Sequence, residues 1–171
     1  MSIVGIFLSL WYLVEIKFSA IISLINILFL AHILYQERID KDILIATLFA
    51  LVLTSYYAYT YSSANYFIGT INLFPLLGWT AGLVFTLQIY RLFKKRSQRF
   101  AMYAIVITYL VVLFSIEFLG FYLLNIQLAS NYPSLLGIGI IHGPIGMKAF
   151  YLTAGPLYVL VTEFILGKKK I

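Results

Sequence analysis

Charged positions along this chain are sparse and bunched, and long apolar runs separate them. Phe18–Tyr35, Ile43–Tyr61 and Ile71–Tyr90 hold no Lys, Arg, Asp or Glu. Phe100–Leu123 holds only Glu117, and Met147–Leu166 holds only Lys148 and Glu163. Each run approaches or exceeds the roughly 20 residues that a helix needs to cross a hydrocarbon layer about 30 Å thick. The pattern predicts an all-α fold, a polytopic transmembrane helical bundle of about five spans, with residues 1–171 as a single integral membrane domain. Gly155 and Pro156 predict a kink in the last span, tolerable where neighbouring groups satisfy the freed carbonyl.

Two stretches resist this count. From Ile3 to Tyr35 the chain is apolar except for Glu15 and Lys17, and one helix over that length would be about 48 Å long. Trp11, Tyr12, Glu15 and Lys17 read as an interface signature. An interfacial or projecting N-terminal segment is therefore expected, with the span starting near Phe18. The start has no basic n-region or small-residue cleavage site, so it is not expected to be a removable signal peptide. The second stretch, Asn125–Tyr151, carries Pro133, Gly137, Gly139, Gly143, Pro144 and Gly146. It is too broken for one helix and too apolar for an aqueous loop, so a re-entrant or capping segment is expected.

Composition supports a lipid-facing surface. The chain is 63 % hydrophobic and 11 % charged, with a mean hydropathy of +0.99, whereas about a quarter of a soluble domain is charged. The net charge of +6 raises nucleic acid as a partner, but its distribution argues against that. Basic residues gather in the connectors 36–42 and 91–99 and in the tail 167–171. The positive-inside rule places all three on the cytoplasmic face, facing anionic lipid headgroups. The plasma membrane is the expected location; the "KKKI" ending keeps the ER open for a eukaryote. Expected partners are membrane lipids, with other membrane subunits or a homo-oligomer as further options.

The absence of cysteine excludes thiolate nucleophiles, disulfides and iron–sulfur ligation. His32 and His142 are predicted at opposite membrane faces, which disfavours a bis-histidine haem or a metal site within one chain. No cofactor can be named, and no phosphate-binding or dinucleotide loop occurs.

Glu117 is the leading chemical candidate, about 25 Å along its span and thus in the outer part of the apolar layer. An ionised carboxylate there costs several kcal/mol unless it is paired or hydrated. His142 and Lys148, predicted on the same outer side, are its expected catalytic partners. Glu15, Tyr122 and Tyr151 are expected to contact substrate or join the polar cluster. Gly120 would admit a neighbouring helix beside the acid, and "GWTAG" (Gly78–Gly82) would support close packing elsewhere. Glu163 reads as an interface anchor. Three functions stand: an enzyme performing acid–base chemistry on a lipid-soluble, polyisoprenoid-like substrate; a small-solute or proton-coupled transporter; and a non-catalytic subunit or assembly factor.

Overall fold

The computed structural model describes the backbone of residues 3–37, 40–57, 60–62, 64–128 and 130–167, and the side chains of 18–35, 41–56, 60–62, 64–128 and 130–166. Backbone groups in an apolar medium must hydrogen-bond within their own segment, which favours helices. The apolar runs accordingly form α1 (Ile3–Glu37), α2 (Asp40–Tyr57), α3 (Leu73–Lys94), α4 (Gln98–Phe118) and α5 (Ile145–Gly167). Four helical stretches are long and apolar enough to cross a membrane: Phe18–Tyr35, Leu73–Lys94, Gln98–Leu123 and Ile145–Leu166. The expected second span is the exception. Its helix has 18 residues and opens on Asp40, Lys41 and Asp42, leaving a shorter apolar part.

The N-terminal stretch forms no separate helix: α1 runs unbroken over 35 residues, through the interface signature. The side chains of Trp11, Tyr12, Glu15 and Lys17 lie outside the described residues, as do Arg38 and the lysine tail 168–170. α5 likewise continues through Pro156.

α3 packs against all four other helices. On its inner half, Leu83, Val84, Leu87 and Tyr90 join Ala46 of α2, Ala101 and Ile105 of α4, and Ala154, Tyr158 and Val159 of α5 in one core. An outer core gathers Leu53, Ile141, Met147 and Tyr151, with Tyr61, Trp79, Leu113 and Phe114 packed around them. The close helix approach falls where spacing did not predict it. A Cβ on Gly155 would run into the Tyr109 ring, whereas one on Gly82 of the GWTAG element would meet open space and one on Gly78 would lie 4.0 Å from the Asn26 side chain.

Hydroxyl groups along the helices bond mostly to the preceding turn. Thr47, Thr54, Thr80, Thr86, Ser115 and Thr153 each donate to the carbonyl four residues earlier. At the inner end, charges join the helices. Arg91 donates twice to the Asp42 carboxylate, at 2.5 and 3.1 Å, and the Tyr158 hydroxyl donates to the Asp42 carbonyl at 2.9 Å. Lys94 pairs with Glu163, which is therefore a partner between α3 and α5.

The outer end is knitted by loops. A hairpin pairs β1 (Phe67–Ile68) with β2 (Ile71–Asn72), turning at Gly69 with φ +61°. Asn72, which is buried, caps α3: its Oδ1 accepts from the Phe74 and Tyr66 amides, and its Nδ2 donates to the Ala64 carbonyl. Ser19 ties α1 to this hairpin through the Tyr66 hydroxyl at 2.7 Å. Beyond α4 the chain makes a π-helical turn, Leu119–Leu123, and doubles back. The Ile126 amide then donates to the Gly120 carbonyl at 2.8 Å. Gly120 thus meets the chain's own return and not a neighbouring helix. The returning segment lies along Tyr61 and Ser62 through a Tyr61–Leu128 bridge and a Ser62 amide to Gln127 carbonyl bond of 2.9 Å. It then makes one short 3-10 turn, Leu135–Gly137. This is a cap laid over the bundle end.

Candidate functional site

Glu117 is the next-to-last residue of α4, just before the π-helical turn, and is half-buried. The same face carries Leu113 and Phe114, which pack into the outer core. Two tyrosines, Tyr61 and Tyr109, lie within electrostatic reach of the carboxyl. Among the described residues no cation lies within ion-pair distance of it. Tyr109 is buried, and its hydroxyl donates to the Tyr151 carbonyl at 2.5 Å. That bond and the Trp79–Tyr151 ring contact, with centroids 4.7 Å apart, fix the wall beside the acid.

One turn further out, Phe121 stacks on His142, with centroids 3.8 Å apart and planes 10° from parallel. The capping segment thereby places His142 over the same end of α4 as Glu117, with Phe121 as the element between them. His142 Nδ1 is buried and has no hydrogen-bond partner among the described residues. Burial, then the Lys148 ammonium, holds this imidazole below the ordinary histidine range, so it is neutral near pH 7.

Lys148 is directed elsewhere than expected: its ammonium donates to the Ser134 carbonyl at 3.1 Å, tying α5 to the cap. Tyr122 is half exposed and lies against Phe118 and Phe121, with 5.0 Å between centroids in each pair. Its hydroxyl lies over Gly139, where a Cβ would come within 2.7 Å. Tyr151 contributes its carbonyl, as above. For Glu15, the backbone belongs to α1 but the side chain lies outside the described residues.

Outside Phe121 the cap encloses a cleft of about 260 Å³, lined by Ser62, Phe121, Gln127, Leu128, Ser130, Asn131, Tyr132 and His142. An apolar groove of about 490 Å³ runs beside it along the outer face of α4, lined by Phe114, Ser115, Phe118, Leu119 and Ile140. Glu117 lines neither concavity. Among the described residues no three His, Asp or Glu side chains converge as a metal site.

Sequence reasoning missed Tyr61 and Tyr109 as companions of the acid. The available signal for Tyr109 was its spacing, two turns before Glu117 and hence near the same face. Tyr61 had none beyond its place in an aromatic belt. Compared with known protein families, with curated proteins and with solved structures, the chain matches none of them.

Proposed function

We propose, from the chain's own residues, that this is a multi-pass membrane enzyme acting on a lipid-soluble, polyisoprenoid-like substrate, with Glu117 as the group that moves a proton. One observation carries the reading. A single carboxyl stands within an apolar helix, among tyrosines and, among the described residues, with no cation at ion-pair distance, at the end of the bundle closed by a cap. A carboxyl placed to hold helices together by charge would have a cation, as Asp42 and Glu163 do.

The neutral acid is the form that such surroundings tolerate most cheaply. In that form Glu117 donates its proton to an electron-rich carbon or oxygen of the substrate. The carboxylate left behind is the base that takes a proton back in the following step. Tyr61, Phe114 and Trp79 supply flat apolar walls suited to an unsaturated chain. In this proposal all five helices cross, α2 with its apolar part from Ile43 onward. Residues 36–42, 91–99 and 167–171 lie on the cytoplasmic side, with the plasma membrane as the location.

The test compares lipid extracts of membranes expressing wild type or Glu117→Gln, a substitution of nearly equal volume. At equal protein levels the variant is expected to accumulate a lipid-soluble precursor at least tenfold and to lack its product. Identical extracts would remove the enzyme reading. A difference in solute uptake with identical extracts would put the transport reading in its place.

A further inference from the structure

The cleft under the cap and the groove along α4 adjoin each other and differ in chemistry. Ser130 and Asn131 give the cleft uncharged donors and acceptors, and Ser62 and Gln127 add oxygens, their own donors being turned to the Asn125 carbonyl and side chain. Among the described residues that line it there is no Lys, Arg, Asp or Glu, and His142 is held neutral by burial and by Lys148. A phosphate or carboxylate placed there would lose hydration with no counter-charge in the lining, Lys148 lying behind it on the Ser134 carbonyl. A hydroxyl-bearing neutral group would find partners of both kinds.

The groove, by contrast, offers Phe114, Phe118, Leu119 and Ile140 and a single hydroxyl, that of Ser115, which already donates to the Val111 carbonyl. Two features join it to the cleft. Ile140 lines the groove and His142, two residues on, lines the cleft. Phe118, which lines the groove, and Phe121, which lines the cleft, each lie against the Tyr122 ring, with 5.0 Å between centroids. From Phe114 to Phe121 the helix rises about 10 Å, enough for several methylenes of an extended chain.

We propose that these two concavities are one binding site for a neutral amphiphile, with an uncharged hydroxylated headgroup in the cleft and its apolar chain along the groove. This deepens the reading of Glu117 by naming the substrate class at the same end of the bundle, and it rests on that reading for the chemistry that follows binding. Tyr122 is the positioning residue at the junction of head and chain, kept in place because Gly139 leaves room for its hydroxyl.

The experiment uses the full chain in lipid nanodiscs and a monoacylglycerol with a diazirine in its acyl chain as photolabel. Labelling is expected to concentrate in the peptide containing Phe114–Leu119, and unlabelled monoacylglycerol is expected to compete for it. The same chain on an anionic lysophosphatidate is expected to label at least fivefold less. Ser130→Ala with Asn131→Leu is expected to reduce labelling at least fivefold. So is Ser115→Trp, which fills the groove from an exposed position. Glu117→Gln is expected to label like wild type, so loss of its chemistry and loss of binding are read separately. Equal labelling of all lipid-facing helices, equal or stronger labelling by the anionic analogue, or no effect of either variant would each overturn the proposal.

Discussion

At the scale of single residues, the two titratable side chains at the capped end differ in what surrounds them. Glu117 has tyrosines within electrostatic reach, whereas His142 has a ring beneath it and the Lys148 cation nearby. The imidazole is therefore harder to protonate in the folded protein than in the unfolded chain. A folded pKa below the ordinary value means that the unfolded state binds the proton more readily. The associated stability is fully present above about pH 6.5, the ordinary histidine value, and is lost as pH falls toward the lowered folded value. Melting of the full chain in detergent should show this. Between pH 7.5 and pH 5 wild type is expected to lose more thermal stability than His142→Asn, which has no proton to take up. Parallel loss in both proteins would contradict the assignment.

Between elements, one ion pair matters most for how α2 sits. Asp42 is fully buried, while its partner Arg91 is partly exposed. Removing the arginine leaves a buried carboxylate uncompensated, so Arg91→Met is expected to destabilise the bundle by about 3 kcal/mol. Adding Asp42→Asn should recover most of that loss, because the uncompensated charge is then gone too. A double-mutant cycle measured by thermal unfolding checks this; simple additivity of the two losses would show that the pair is not coupled. This pair also marks where the sequence stopped being legible. The apolar runs announced the helices because lipid leaves the backbone little alternative. Nothing in "DKD" says that Asp42 meets a cation; that is settled by the rotational phase of α3, which brings Arg91 to it. The glycines carry the same lesson. GxxxG spacing records where two backbones are able to meet, and Gly155 met Tyr109 without any such spacing.

For the whole molecule, the charges and the capped site fall at opposite ends of the bundle. Asp42, Arg91, Lys94 and Glu163 are joined at one end, and Tyr61, Glu117 and His142 gather at the other. That polarity was legible from the bunching of basic residues. Of the acid's companions, Tyr109 shares its helix, whereas Tyr61 was not legible, because its place depends on how the chain beyond α4 returns along Tyr61 and Ser62. The absence of cysteine makes single-cysteine labelling in intact cells a clean test of orientation. Lys95→Cys is expected to react with an impermeant maleimide only after the membrane is opened, and Asn131→Cys without opening. Labelling of both positions from the same side would refute the topology and the separation of the two ends.

The helix hydroxyls bonded to their own preceding turns have a consequence for how this assembly is held. Already satisfied at home, they leave the helices to recognise one another by relief, methyl against ring and bare backbone against tyrosine, beside the ionic clasp at the inner end and the hydroxyls of Tyr109 and Tyr158, which donate to carbonyls of neighbouring helices. Swapping such a threonine for valine changes little that a neighbouring helix can feel. A single extra carbon at Gly155 is felt at once.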